Sequence, residues 1–487
     1  MNREDEMKIG IVGSGSIGRG LAYAFAGKGA EIVLIDIRPE ALEAAMEEIT
    51  ALGTKAVAKG KLGVEQAFVL ATRIRTTTDY ADLAECDLVI EAATENIRIK
   101  CDILREIEKV VREDCLIGFT TSSLTRTTIA EKAEHPERCY LTHPFFPAWR
   151  NPVMEVVLTG NEVNDRRLID LLTLLGKVPI VVQDSPCLVG NVLFCGLMNW
   201  ALEMVEMGWG TVAQVNAILA DRLGGGGVFR VHDSIPGSNL LTLVCLQTLA
   251  EHLNGWFKDL YVPRAELVNH AESNELWLCP DDDATSYSRE QEERVIKMMW
   301  SKLEIISDRL VSVGIVSAFD LNWIARNALG FMANPIRGLT KDVKVEVENA
   351  GIAVVTVFRP PVNPLCTNAL CELAEEMTVL EENPEVHGII LSGFNGTLAG
   401  ADIGELAALR SATEMAEFPL RGQALGLQIQ RMTTPVVAVI DGPCLGGGAE
   451  LAMSCHFRVV GLKAVIGWPE VDLGIIPGNG TPVRLTF

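Results

Sequence analysis

The chain has 487 residues, a formal net charge of −22, and 48% hydrophobic against 22% charged residues. That length exceeds a single hydrophobic core and calls for roughly three or four domains of ordinary globular composition. The acidic balance excludes a phosphate backbone or an anionic membrane surface as a natural partner, since both require a basic face. The N-terminal MNREDEMKIG is charged and lacks an apolar leader core, and no apolar run is expected to cross a membrane, so the expected location is the cytoplasm. The 12 cysteines form no C-x-x-C pair and the 7 histidines do not pair at i, i+4. Buried thiols in a reducing compartment, and no metal site, are the expectation.

The first elements are a strand, a glycine turn, a helix and a second strand in KIGIVGSGSIGRGLAYAFAGKGAEIVLIDI. Gly13, Gly15 and Gly18 form G-x-G-x-x-G, and Asp36 ends the second strand. In that order, Gly13 permits the tight turn, Gly15 lets the backbone approach a pyrophosphate, and Gly18 lets helix and strand pack closely. The helix N-terminus stabilises the phosphate charge. Asp36 should accept from a ribose 2′-hydroxyl and repel a 2′-phosphate, which favours NAD over NADP, although Arg38 nearby works against that preference. The plainer reading, an ordinary strand–helix–strand turn, does not explain an acid at that place.

Further apolar strands in CDLVIEAA, CLIGFTTSS and PIVVQD alternate with helical patterns to about Asp184. The alternation predicts an α/β doubly wound sheet over residues 1–185. Within it, His143 precedes Glu155 across a proline-rich stretch, HPFFPAWRNPVME. A carboxylate that reaches a histidine fixes its tautomer and stabilises its imidazolium, as a general base needs. By spacing alone, a loop histidine and an unrelated strand-end glutamate are the better reading.

The run TSSL with Ser122, then His143 and Glu155, together with IEAATENIRIK and DSPCLVGNVLFCGLMNWALEM, resembles the L-3-hydroxyacyl-CoA dehydrogenases. The resemblance implies that His143 takes the proton of the 3-hydroxyl while hydride passes to NAD. It implies that Glu155 orients His143, that Ser122 and Asn191 bond the substrate oxygens, and that Glu95 and Lys100 line the cofactor side. Two positions depart from the family pattern. Phe146 stands where an Asn is usual, and Val192 stands where an Arg is usual, both near the expected acyl-CoA path.

From about Ser185 helical patterns take over. GWGTVAQVNAILADRLGGGGVF from Gly208 and GIVSAFDLNWIARNALGFMANP from Gly314 resemble each other, with Thr211 and Ser317 as matching caps and Asn216 matching Asn322. This looks like the dehydrogenases' all-α C-terminal domain in tandem, with copies over 186–285 and 286–342. The second copy is expected to complete a cleft or a dimer face. A loop in CPDDDATSYSREQEE should feed a helix capped by Ser288 and Gln291.

The last third, 343–487, returns to strands and resembles the crotonase (enoyl-CoA hydratase) family, with an expected β/α spiral core. Glu450 in GGGAE and Glu470 in WPE are paired carboxylates, which suit addition of water across a double bond. The Gly446–Gly448 run precedes a helix expected to begin near Ala449, and its backbone N–H groups, with the helix dipole, can stabilise an enolate oxygen. The resemblance assigns that oxyanion hole to the N–H groups of Ala401 and Gly447. Possession of both glutamates favours a hydratase over an isomerase, hydrolase or decarboxylase. The similarity runs through Glu470, so the domain is expected to lack its C-terminal helices and to expose apolar surface.

The expected whole is a bifunctional enzyme of acyl-CoA metabolism. It would use NAD and acyl-CoA thioesters, with no nucleic acid or membrane partner, as a homo-oligomer. Two alternatives stand beside it. In one, the C-terminal part only binds acyl-CoA or assembles subunits; in the other, the chain is a non-catalytic NAD-binding protein.

Overall fold

The computed structural model describes residues 7–252, 258–273, 275–279, 286–338, 341–348, 350–474 and 476–480. The acidic stretch 280–285, part of the loop expected before Ser288, lies outside the described residues. The chain divides into two compact units, Met1–Arg337 and Gly338–Phe487.

The first unit is built on an eight-stranded sheet. Its strands are β1 Lys8–Val12, β2 Glu31–Ile35, β3 Ile74–Thr77, β4 Leu88–Glu91, β5 Leu116–Phe119, β6 Cys139–Pro144, β7 Val153–Val157 and β8 Val178–Val181. Their spatial order is β3-β2-β1-β4-β5-β6-β7-β8. Every neighbouring pair is parallel except β6 and β7, which are antiparallel. Strands β4, β5, β6 and β7 are buried along their whole length. Parallel strands covered on both faces need such continuous apolar runs. The sheet order changes direction at β1, where the first crossovers run to opposite sides, and ligands bind at the carboxyl edge of such a switch point.

The helix Leu188–Glu206 follows the sheet and is buried on nearly all sides. It is long and apolar enough to cross a membrane, contrary to the expectation from sequence, but 83% of its apolar window is covered by the surrounding protein. A helix apolar all round is a core helix when neighbours cover it. Its entry is strained: Cys187 and Leu188 hold φ of 65° and 52°, a left-handed region that non-glycine residues seldom occupy.

The two similar stretches form similar structures. Leu188–Glu206 is followed by Val212–Arg222, and Arg289–Ser312 by Ala318–Asn327. Thr211 and Ser317 each cap the shorter helix by accepting the N–H of Gln214 and Asp320. Ser288 forms its capping box with Gln291. Asn216 accepts from the N–H of Phe229, and Asn322 from that of Ile336. The turns after the two short helices lie side by side, with Gly224 bridged to Phe331 and the N–H of Met332 donating to Leu223.

The second unit has a five-stranded sheet of β9 Val343–Val347, β10 Ile352–Val357, β11 Gly388–Gly393, β12 Val436–Ile440 and β14 Phe457–Val460, in the order β14-β12-β11-β10-β9. Strands β13 Pro443–Leu445 and β15 Val465–Gly467 pair separately. A core of Val355, Leu373, Met377, Ile389, Ile429 and Val436 lies under the larger sheet. The edge strand β14 and its surroundings leave Phe457, Val459, Val460, Leu462 and Val465 exposed.

Candidate active sites

The glycine motif sits at the carboxyl end of β1. Gly13 holds φ at +104°, and a Cβ there would lie 2.6 Å from the Ala92 carbonyl oxygen. A Cβ on Gly18 would run into the Gly13 carbonyl oxygen. Gly15 is the opposite case, with no atom beyond its chain neighbours within 4 Å of where its Cβ would be among the described residues. Among the described residues no side chain caps the helix Ser16–Ala26, so its first N–H groups face this open space. Room, unpaired donors and the positive helix end together fit a pyrophosphate.

Asp36 ends β2 beside this space. Its Oδ2 accepts the Ser14 N–H at 3.0 Å and the Ser14 hydroxyl at 2.8 Å, and Oδ1 accepts the Arg38 N–H at 3.1 Å. Burial pushes its carboxyl upward, but the Ser14 and Arg38 bonds outweigh burial and hold it below the ordinary value. Asp36 is therefore a fixed anion. The Arg38 guanidinium lies 3.9 Å away and is mostly exposed.

The second cluster forms where β6 meets β7. His143 and Glu155 are direct partners in that antiparallel register. Nδ1 of His143 lies 2.9 Å from Oε2 of Glu155. The other oxygen of Glu155 accepts the N–H groups of Val189 at 2.9 Å and Gly190 at 3.0 Å, at the start of the helix Leu188–Glu206. Glu155 is fully buried, and its charge is matched by two helix N–H groups and the positive helix end. Gly190 permits this approach, since a Cβ there would strike the Phe145 ring and come 3.1 Å from Glu155. Phe145 in turn packs edge-on against His143.

Asn191, one residue further, brings Nδ2 to 3.3 Å from Nε2 of His143 and donates to the Ser122 carbonyl at 3.1 Å. The fold thus gathers Ser122, His143, Glu155 and Asn191 from four segments. With Nδ1 turned to Glu155, the other ring nitrogen, Nε2, faces Asn191.

Glu95 and Lys100 occupy other posts. One oxygen of Glu95 accepts the Thr121 hydroxyl, the Ser122 N–H, and both the N–H and hydroxyl of Ser123, at 2.6 to 3.0 Å. Glu95 therefore holds the loop that carries Ser122. Lys100 is fully buried, 2.6 Å from Glu91 and 3.2 Å from the Thr120 carbonyl. It sits on the helix Ile97–Glu108 and pairs with Glu91 at the end of β4, an acid that the sequence pattern did not single out. Val192 is buried, and its carbonyl accepts from Tyr261, while Phe146 is half-buried.

In the second unit, Gly446 and the helix Gly447–Ser454 follow β13. Ala401 lies alongside, its N atom 3.7 Å from the Cβ position of Gly447. Neither the Ala401 nor the Gly447 N–H donates to a backbone oxygen among the described residues outside the regular elements. A Cβ on Gly400 would meet Leu445 O at 3.1 Å and Gly447 N at 3.2 Å, so the two segments approach as backbone on backbone. Glu450 is buried, and both of its oxygens lie 2.9 Å from the Asn479 N–H. Glu450, Gly447 and Asn479 line a small recess with Leu365, Leu370 and Gly422.

Glu470 is buried on the other side of Gly446, whose Cβ position lies 2.8 Å from Oε1 of Glu470. Its Oε2 has no partner among the described residues. Burial, reinforced by the Glu450 charge, raises its carboxyl above the ordinary value. Two carboxylates whose environments differ in this way suit opposite proton-transfer roles.

Residues 8–185 match the family model for the NAD-binding domain of 3-hydroxyacyl-CoA dehydrogenase. Residues 347–486 match the model for enoyl-CoA hydratase/isomerase. A fatty acid oxidation complex subunit alpha of Psychrobacter cryohalolentis is 39% identical over 194 residues, which is 39% of this chain and 27% of that protein. The same-named subunit of Acinetobacter baumannii (strain SDF) is 38% identical over 188 residues, covering 38% of this chain and 26% of its own length. The chain's match thus spans about a quarter of these curated relatives.

Among solved structures, the (S)-3-hydroxybutyryl-CoA dehydrogenase PaaH1 of Ralstonia eutropha superimposes with a TM-score of 0.51 and 27% identity, covering 56% of this chain and 95% of that one. The 3-hydroxybutyryl-CoA dehydrogenase of Escherichia coli K12 shares the fold, at a TM-score of 0.58 and 20% identity, over 68% of this chain and 90% of that one. The chain therefore joins a domain of the 3-hydroxyacyl-CoA dehydrogenase NAD-binding family, at 8–185, to a domain of the enoyl-CoA hydratase/isomerase family, at 347–486.

Proposed function

We propose that the chain oxidises (S)-3-hydroxyacyl-CoA to 3-oxoacyl-CoA, reversibly, and that its C-terminal unit hydrates enoyl-CoA. The observation that carries the first activity is the His143–Glu155 pair, bonded through Nδ1, with Nε2 turned toward Asn191 and the Ser122 segment. His143 takes the 3-hydroxyl proton at Nε2, and Glu155 stabilises the resulting imidazolium. Asn191 and Ser122 hold the substrate oxygens. NAD, when bound, supplies the hydride acceptor. Gly13, Gly15, Gly18 and Asp36 would hold it.

In the second unit, Glu450 takes a proton from the attacking water, and Glu470, with its raised carboxyl, delivers one to Cα. The N–H groups of Ala401 and Gly447 stabilise the thioester enolate oxygen. We assign the partners as acyl-CoA thioesters in a homo-oligomeric, cytoplasmic enzyme of fatty acid degradation.

A second reading keeps the dehydrogenase and gives the C-terminal unit only acyl-CoA binding or subunit assembly. The observation in its favour is that the Asn479 N–H already occupies both oxygens of the buried Glu450. A coupled assay of the purified chain with crotonyl-CoA and NAD separates the two. NADH from crotonyl-CoA supports both activities, whereas NADH from 3-hydroxybutyryl-CoA alone supports the second reading. No NADH from either substrate refutes the dehydrogenase.

A further inference from the structure

The eight residues 145–152 join His143's strand to Glu155's strand at the carboxyl edge of the sheet. This loop also rests on the nucleotide-binding helix Ser16–Ala26. The Cβ position of Gly20 lies 3.2 Å from Ala148 Cβ and 3.3 Å from Trp149 N, and Trp149 packs edge-on against Tyr23. From beneath, the Lys177 ammonium donates to the Ala148 carbonyl at 2.5 Å and the Asn151 carbonyl at 2.9 Å. The Asn151 side chain ties the same loop to the helical region, donating to Ala328 O at 3.2 Å and accepting from Val153 N at 3.1 Å.

Lys177 is buried, and its ammonium meets two carbonyls and no carboxylate among the described residues. Burial alone lowers its ammonium to about 8. A buried cation without a counter-ion is costly, and proteins keep such arrangements mainly where geometry matters to function. Its two acceptors bracket the Trp149–Arg150 tip.

We propose that Lys177 is a positioning residue of the dehydrogenase: it pins the 145–152 loop and so sets the His143–Glu155 pair against the helix that holds the cofactor. The inference rests on the dehydrogenase reading. It follows because the loop carries the contacts to Gly20 and Tyr23, and because the distance from base to hydride acceptor depends on that seat. A displacement of order 1 Å at a reacting centre costs about a hundredfold in rate.

The test uses the full chain and Lys177→Met. Three quantities are measured: kcat with 3-hydroxybutyryl-CoA, NADH affinity by fluorescence titration, and tryptic cleavage after the exposed Arg150. The expected result is a kcat lower by about ten- to a hundredfold, NADH affinity within about twofold, and faster cleavage at Arg150. Unchanged kcat overturns the proposal. So does a loss of NADH affinity and thermal midpoint in step with kcat, which marks a merely structural lysine.

If Lys177→Met does not fold, Lys177→Gln, which keeps a shorter uncharged donor, takes its place. The same split between kcat and NADH affinity is expected there, and unchanged kcat again overturns the proposal. A wild-type chain without dehydrogenase turnover refutes the underlying reading instead, and cleavage at Arg150 then decides whether the clamp exists.

Discussion

His143 and Glu155 face each other across one antiparallel strand pair, and the same carboxylate that bonds Nδ1 also receives the first N–H groups of the helix bearing Asn191. Glu155 therefore holds the His143 ring and also anchors the start of the helix Leu188–Glu206. His143→Ala is expected to lower NADH formation by about a hundred- to ten-thousandfold while NADH still binds. Glu155→Gln is expected to lower kcat and also the thermal midpoint, since a buried acceptor of two N–H groups loses its charge, at about 1–3 kcal/mol. Steady-state kinetics and a thermal scan of the two variants check both outcomes. Normal turnover in His143→Ala would remove it as the base.

Asp36 is held ionised by Ser14 and Arg38 next to open space at the helix start. Asp36→Ala is expected to weaken NAD by about ten- to a hundredfold, the worth of a hydrogen bond to a charged group, and to narrow the preference over NADP. Parallel KM measurements with the two cofactors decide it. An unchanged ratio means that Asp36 does not read the ribose.

Glu450 and Glu470 flank the Gly446–Gly447 turn. Glu450→Gln and Glu470→Gln are each expected to reduce crotonyl-CoA hydration by about a hundredfold or more and to leave oxidation of 3-hydroxybutyryl-CoA intact. Loss of absorbance from the conjugated thioester reports the first activity and NADH the second. Hydration that survives both substitutions excludes the assigned pair.

His232 predicts acid sensitivity. It is fully enclosed, stacked on Phe194, bonded through Nδ1 to Val228 O and through Nε2 to the Thr242 hydroxyl. Burial lowers it to about 4 from 6.5, with the Val228 carbonyl opposing that shift. Between those values the unfolded chain binds a proton that the folded chain refuses, so stability falls as pH drops from 6.5 toward 4. The full effect is about 3 kcal/mol. Urea midpoints measured across that window should fall, and the fall should shrink in His232→Gln. An equal slope in the variant assigns the acid sensitivity to other groups.

The readable parts of the chain were those set by local spacing. The glycine turn, the caps at Thr211, Ser288 and Ser317, and the alternation of strands with helices depend on neighbours within a few residues. The family likeness carried His143, Glu155, Ser122 and Asn191, and the fold brings these four together. It carried Glu95 and Lys100 as cofactor-side groups; in the fold Lys100 is buried on the helix Ile97–Glu108 against Glu91 of β4. Nothing in a local pattern separates a lysine facing a cleft from one turned inward to an acid on a neighbouring strand.

The sequence by itself determined the order of the folding units and the residue types available to each, because hydrophobic period and turn chemistry are local. Only the tertiary structure decided which distant groups meet. It placed Glu155 on the Val189 and Gly190 N–H groups, Lys177 under the Ala148 and Asn151 carbonyls, and the Asn479 N–H on Glu450. Each is a contact of a side chain with backbone N–H or C=O groups, which every residue type but proline carries in full, so no residue identity announces it.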